Sequence, residues 1–376
     1  MKDVLQKTLE AELEGSIGRE KYGRNEASNG NYRNGSYPKK VRSTFGEMDL
    51  DIPRDREGVY EPMIIEKGKT DVSDLETGLI SMYARGMSRR DIQAHMEEIY
   101  GVKMSAEMIS KITDKILPHV KEWQYRMLQA IYPILYMDAI HINVRDNGRT
   151  VKKAIYLAMA VDCDGMKDVL GIWVGGNESS KYWLSVLTEL KNRGVCDIFI
   201  ACVDGLSGFD KAIQAVFPKT EIQRCIVHQV RYCCKFVNYK DRKEFCADMK
   251  AIYGAPSEES GLEYLTKFDD KWGKKYAYAV KSWESNWTHL SAFFKYPDEI
   301  RRLIYTTNPI ESLNSGIRKY AAPKRIFPTD DSAIKSIFLA IEYRLKKWTM
   351  RTKNWGAIFD QLTIHFLDRL EGGVIS

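Results

Sequence analysis

The chain has 376 residues, and 57 Lys+Arg against 51 Asp+Glu leave a formal charge of +6. A hydrophobic content of 44% with 29% charged residues supports folded cores and excludes a disordered, collagen-like or disulfide-framework protein. The opening MKDVLQKTLEAELEG lacks an apolar signal core, runs such as IYLAMAV fall far short of a membrane span, and the seven cysteines follow no framework spacing. A cytoplasmic protein of two or three domains, with no membrane partner, is the expectation.

The positive charge is clustered. Residues 19–44 hold seven Lys/Arg against two acids, and residues 318–353 hold ten against three. Two basic islands flanking a nearly neutral middle suit a polyanion, because each neutralised phosphate releases counterions; two solvated faces would look the same.

In chain order, residues 1–18 read as an acidic helix. Residues 24–43 contain two Asn-Gly pairs, a strong hairpin signal, and GEMDLDIPR alternates as a half-buried strand ending at Pro53. Arg33, Lys39 and Lys40 are then expected near hairpin turns, where they either solubilise or contact phosphates. Residues 74–117 read as short helices: one broken at Gly86, one capped by Ser88 and Asp91 and closed at Gly101, one capped by Ser105. A helix-turn-helix fits, as does any small helical bundle. From 131 the runs IYPILYMD, KAIYLAMAVD, KDVLGIWVG, DIFIACVD and EIQRCIV, with helices over ESSKYWLSVLTELKNRG and FDKAIQAVF, predict the order β-β-β-α-β-α-β, a mixed α/β sheet. Residues 229–300 read as an all-helical insertion, and a basic helical tail follows.

Two predicted strands end in carboxylates, Asp138 and Asp204. Side by side they would repel, and a divalent cation such as Mg²⁺ or Mn²⁺ relieves that; singly, a strand-end Asp more often caps or solvates a loop. Glu311 reads as the third residue of a helix capped by Asn308 and begun by Pro309. It either bonds back to the cap or, with Asn314, Ser315 and Arg318 at helical spacing, forms a polar face suited to a phosphodiester. Cys225 and His228 follow the last strand. They could form half of a zinc site with Cys233 and Cys234, or His228 could orient a phosphate beside metal-bound acids, or it could be a core histidine.

Taken in order, NGNYRNGSYPKKV, GEMDLDIPRDREG, YARGMSRRDI, MDAIHINVRDNGR, KDVLGIW, CVDGLSG, QRCIVHQVRY, DRKEF, DMKAIYGA, RLIYTTNPIESLNSGIRK and FPTDDSAIKS resemble the bacterial Mutator-type insertion-sequence transposases, relatives of eukaryotic Mutator-like elements, over almost the whole length. The resemblance implies a ribonuclease-H-like α/β core with a mixed sheet and an all-helical insertion, plus an N-terminal β-hairpin and helical DNA-binding region. It implies an Asp-Asp-Glu triad of Asp138, Asp204 and Glu311 holding two Mg²⁺ (or Mn²⁺) ions, with Cys225 and His228 as the family's Cys-x-x-His signature. The implied activity is metal-dependent 3′-end cleavage and strand transfer. Double-stranded DNA is the partner, as terminal inverted repeats and target, with Arg33, Lys39, Lys40, Asn314, Arg318, Lys319, Lys324 and Arg325 as candidate contacts. A homodimer or larger synaptic assembly and a nucleoid-associated location follow from that function. The expected division is 1–70 basic hairpin module, 71–130 helix-turn-helix-like region, 131–228 and 301–350 catalytic core, 229–300 insertion and 351–376 helical tail. A nuclease without strand transfer and a catalytically inactive DNA-binding regulator are the alternatives. Tyr232 and Ser315-Gly316 depart from the family pattern, and neither touches the acids.

Overall fold

A computed structural model describes residues 2–18, 31–43, 46–65, 70, 73–100, 104–176, 179–305 and 307–371. Its contacts group the chain into two units. One comprises Met1–Val120 with Arg318–Arg325 and Asp331–Ala340; the other comprises Lys121–Ile317, Ile326–Asp330 and Ile341–Ser376. The expected 1–70 region and residues 71–120 of the expected 71–130 region fall in one unit, which also takes in two C-terminal segments, while 121–130 fall in the other.

The first unit begins with α1 (Lys2–Ile17), laid against a hairpin of β1 (Arg33–Ser43) and β2 (Gly46–Asp55). Leu5 and Leu9 of α1 bury against Val41, Leu50, Ile52 and Ile65. The Gln6 amide donates to the Asp51 carbonyl at 2.6 Å and accepts from its N–H at 2.9 Å, so α1 is pinned to β2 by a side chain that mimics a strand. The hairpin differs from its sequence signal. Asn34-Gly35 makes no turn: Gly35, at φ +69°, sits in a register shift between Arg33 and Ser36, where a left-handed glycine absorbs an extra residue. The register instead pairs Ser43 with Gly46, and β2 runs past Pro53 to Asp55. Lys39 and Lys40 therefore lie within a strand rather than at its turn. The other pair, Asn29-Gly30, lies outside the described residues.

Three helices follow, α2 (Ser73–Ala84), α3 (Arg89–Tyr100) and α4 (Ala106–Asp114). The capping signals are realised. The Ser88 N–H donates to Asp91 Oδ2 at 2.8 Å while the Asp91 N–H donates to Ser88 Oγ at 3.2 Å, and Ser105 Oγ accepts from the Met108 N–H. Leu79, Tyr83, Ile92, Met96, Ile109 and Ile112 fill the space between them, joined by Leu339. Beside this core Lys335, only 1% exposed, donates to Thr113 Oγ1 and Asp114 Oδ1. Lys324 donates to the Tyr83 carbonyl and Ser336 Oγ, its ammonium over the Tyr83 ring. Helix α5 (Leu117–Tyr125) leads into the second unit.

That unit is built on a mixed sheet of β3 (Ile131–Asp146), β4 (Arg149–Val161), β5 (Lys167–Gly175), β6 (Asp197–Val203) and β7 (Glu221–Arg224), with α6 (Ser180–Asn192) and α7 (Phe209–Val216) between the later strands. The spatial order is β5-β4-β3-β6-β7; the first three are antiparallel, and β6 and β7 run parallel to β3. The β-β-β-α-β-α-β order is as read, but β3 continues past Asp138 to Asp146. Asn147 and Gly148, both at positive φ, turn it back into β4. Beneath one face, Trp183, Leu187 and Leu190 of α6 and Phe209, Ile213 and Val216 of α7 pack against Tyr156, Ala158, Ala201 and Val203. The other face carries Tyr136, Ile140, Leu157, Ile200 and Cys202, all buried.

Helices continue as α8 (Ile226–Cys234), α9 (Tyr239–Tyr253), α10 (Glu258–Leu290), α11 (Asp298–Ile304), α12 (Asn308–Ala321), α13 (Asp330–Leu345), α14 (Trp355–His365) and α15 (Leu367–Glu371). Phe366 stacks on Phe199 of β6 at 4.8 Å, and the Trp355 indole N–H donates to the Cys163 carbonyl in the β4–β5 turn. Among the described residues no helix is long and apolar enough to cross a membrane.

Gly165 in that turn has φ +82°, and an added Cβ would lie 2.3 Å from the buried Trp355 ring. Gly165→Ala is expected to lower stability in urea unfolding by about 1–3 kcal/mol through strain and overpacking. A second expectation concerns Lys324, whose amine is pushed down to about 7 by burial and then by Lys335. Between about 7 and its ordinary value the unfolded chain binds the extra proton, so this residue makes stability rise with pH across that window. Urea midpoints at pH 6 and pH 9 should therefore differ less in Lys324→Met than in the unsubstituted protein.

Candidate active site

The parallel register of β3 and β6 pairs Tyr136 with Cys202, and two residues further along each chain come Asp138 and Asp204. Side chains alternate across a strand, so Asp138 shares a face with Tyr136, and the same two-residue step carries Asp204 from Cys202. Two acids thus stand at neighbouring positions, near the end of β6 where the chain leaves the sheet. Asp138 is 9% exposed and its Oδ1 accepts from the Ala139 N–H; Asp204 is more open and its Oδ1 accepts from the Gly205 N–H. Gly208, at φ +77°, then begins α7.

The third acid arrives on α12. Ile310, Leu313 and Ile317 bury one side of that helix completely. The helix starts at Asn308, and the Glu311 N–H already donates to the Thr307 carbonyl at 2.8 Å. The Glu311 carboxylate does not serve the cap: its Oε1 lies 3.3 Å from His228 Nε2 and accepts from the Arg231 guanidinium at 2.5 Å. One turn on, the Asn314 amide donates to Asp138 Oδ2 at 2.5 Å. Asn314 is 1% exposed, so the side chain expected as a surface contact serves the acid instead.

His228, on α8, stands between the other two carboxylates. Its Nδ1 lies 3.3 Å from Asp204 Oδ1, a charge contact rather than an aligned hydrogen bond. The hydrogen bond with Cys225 holds the imidazole up, against burial, and the charge of Asp204 adds to it, bringing its pKa to about 9. Burial pushes the Cys225 thiol up, but bonds from His228 and then Thr307 bring it below the ordinary thiol range. Cys225 begins α8, and its sulfur accepts from both the N–H and the hydroxyl of Thr307, one residue before the Glu311 helix. The Cys-x-x-His pair therefore joins α8 to the start of α12. Cys233 and Cys234 take other partners: Cys233 bonds the Ala279 carbonyl, and Cys234 lies 3.4 Å from Cys246.

The three acids are thus linked through two intermediaries, Asn314 on Asp138 and His228 between Asp204 and Glu311. Among the described residues no three His, Cys, Asp or Glu side chains are disposed to hold a metal ion together. The donors nevertheless suit a hard cation: three carboxylates, and an Asn314 Oδ1 that is buried without a hydrogen-bond partner. A cavity of about 530 Å³ opens beside Asp204 and His228, lined also by Arg224, Arg231, Tyr232 and Lys235. Sequence reasoning passed over Arg231, whose signal was its place one turn beyond His228 on the same helix.

The basic candidates are dispersed. Arg33 is paired to Glu14 at 2.6 Å, Lys40 reaches Glu47 at 3.5 Å, and burial lowers the Lys39 amine. Arg318, Lys319 and Arg325 are exposed, whereas Lys324 is held against Tyr83.

Residues 1–350 match the family described as Transposase, Mutator family. The chain is 43% identical over 369 residues to the transposase for insertion sequence element ISRM3 of Rhizobium meliloti (strain 1021), covering 98% of this chain and 92% of that one. It is 32% identical over 324 residues to the transposase for insertion sequence element IS1201 of Lactobacillus helveticus, covering 86% and 88%. Among solved structures, a chain of the Drosophila P element transposase strand transfer complex aligns with 78% of this chain and 85% of its own length at 10% identity, with a TM-score of 0.26, too loose an overlap to assign a fold. On the family match and the near full-length identity, the chain belongs to the Mutator family of transposases.

Proposed function

We propose that the chain binds the terminal inverted repeats of a mobile element and catalyses 3′-end cleavage and strand transfer, with Asp138, Asp204 and Glu311 as its catalytic acids on a ribonuclease-H-like sheet. The observation that carries the proposal is the pair of bridges, Asn314 to Asp138 and His228 between Asp204 and Glu311, which link three acids separated by 66 and 107 residues in sequence. Three antiparallel strands followed by two parallel ones, with the acids at adjacent strands and on a later helix, support the ribonuclease-H-like reading.

The three carboxylates, aided by Asn314 Oδ1, would hold divalent ions, which when bound supply an activated water and stabilise the leaving 3′-oxygen. Asn314 fixes the orientation of the Asp138 carboxylate. Arg231, 60% exposed beside Glu311, and the protonated His228 offer positive charge to a phosphate entering at the acids. Water adds to phosphorus in line with the departing 3′-oxygen, which takes up a proton, leaving a 3′-hydroxyl at the element end. That hydroxyl then attacks a phosphodiester of the target, forming one P–O bond as another breaks, so no protein nucleophile is required. Residues 1–130 would recognise the ends, the helix-turn-helix lying within 71–130. Holding two ends together calls for a dimer or larger assembly.

Asp138→Asn, Asp204→Asn and Glu311→Gln should each lower cleavage and joining of a labelled end duplex in Mg²⁺ by about 10²–10³-fold or more while leaving end binding intact. Joining that persists in any of them removes that acid from the assignment, and cleavage by the unsubstituted protein with no joined product would mark a nuclease. Asn314→Ala should lower the rate about 10–100-fold and raise the metal concentration needed for half-maximal activity. An unchanged metal requirement would mean that the Asn314 contact serves packing alone.

A further inference from the structure

On the far side of the cavity at Asp204 and His228, the surface changes character. Tyr232 on α8 and Phe236 in the turn just after it are 40% and 43% exposed, and Tyr278 on α10 is 74% exposed. They form a connected strip: Tyr232 meets Phe236 edge-on with ring centroids 5.2 Å apart, and Phe236 lies 5.7 Å from Tyr278. The strip begins in the cavity, whose wall includes Tyr232 and Lys235 but neither Phe236 nor Tyr278. Helix α10 kinks at Tyr276, two residues before Tyr278; the Tyr276 hydroxyl donates to Asp241 and accepts from the Asn238 N–H, anchoring this turn to the start of α9.

Large aromatic side chains left in water cost stability unless something covers them, and cations interleave these rings. Lys235 lies over the Tyr232 ring at 6.0 Å, and Lys281 follows Tyr278 by three residues, on the same side of α10. Both lysines are exposed, and among the described residues neither has a carboxylate within ion-pair distance. Arg231 adds charge where the strip meets the cavity. A protein face would offer carboxylates to the lysines or aliphatic groups to the rings. Unpaired nucleic acid offers both needed chemistries in one repeating unit, a flat base for each ring and a phosphate for each cation. A blunt duplex cannot match it, because its bases are stacked on one another and unavailable to the rings.

We infer that Tyr232, Phe236 and Tyr278, with Lys235 and Lys281, form a platform for a single-stranded stretch of DNA leading out of the cavity beside the acids. This rests on the proposed function and deepens it: DNA next to the reacting bond lies unpaired on α8 and α10, bases stacked on the rings. The protein holds one strand clear of its complement there, and the free strand is the one whose phosphate reaches Asp204 and His228.

The test is fluorescence anisotropy of the full chain with a labelled deoxythymidine oligonucleotide of about 20 residues and with a blunt duplex of the same length. Phe236→Ala and Tyr278→Ala should each weaken single-strand binding by about tenfold, the loss of one stacked base, and change duplex binding by less than about twofold. Tyr278→Phe, which keeps the ring, should bind as the unsubstituted protein does. Unchanged single-strand affinity in both alanine variants, with circular dichroism and Tm retained, overturns the inference. So does an equal loss on both probes, and so does light scattering in which the alanine variants dissociate an assembly, since the strip would then belong to a second copy. Cleavage of a duplex end, followed in parallel, separates this from the proposed function. No cleavage by the unsubstituted protein sinks that function; cleavage together with unchanged single-strand affinity sinks the platform alone.

Discussion

Like charges cannot be packed at one site unless donors or cations stand between them. In this chain the Asn314 amide donates to Asp138, and the His228 imidazole, its pKa raised to about 9, stands between Asp204 and Glu311. Each comes from a helix whose course is set elsewhere. The parallel pairing of β3 with β6 brings two acids to adjacent strands, the buried Ile310, Leu313 and Ile317 seat α12, and Cys225 joins the first turn of α8 to Thr307.

The same arrangement explains why the site is partly open. Asn314 is buried and holds Asp138, while Arg231 and Asp204 reach solvent beside a cavity bordered by cations and by Tyr232. A polyanion approaching there meets positive charge before it meets the acids, which lowers the repulsion that three carboxylates would otherwise impose. Helix α8 contributes to both sides of this balance, giving His228 and Arg231 to the acids and Tyr232 to the surface.

Much of the second unit was legible in the chain. Its strands are short apolar runs bounded by turn residues, and its helices carry apolar residues at helical spacing, so local pattern and tertiary burial agree. Asp138 and Asp204 stood out because each closes such a run. The hairpin of the first unit was misjudged at its turn, because Asn34-Gly35 satisfies a bulge as readily as a turn: both need only a left-handed glycine, and the cross-strand partners decide which forms. For Glu311, cap and site readings were equally compatible with the sequence, since an acid at the third helical position serves either. In the folded chain the Glu311 carboxylate meets His228 and Arg231 rather than the backbone of the cap.

By itself the sequence determined the order of strands and helices and the two basic islands, and it singled out three acids as candidates, because these depend on local periodicity, turn chemistry and residue type. Tertiary structure alone decided that Asn314 serves Asp138, that His228 stands between Asp204 and Glu311, and that Lys324 and Lys335 are drawn in around Tyr83. Those contacts join residues up to 252 positions apart in the chain, and no local pattern encodes which distant partner a polar side chain will meet once the apolar faces have set its direction.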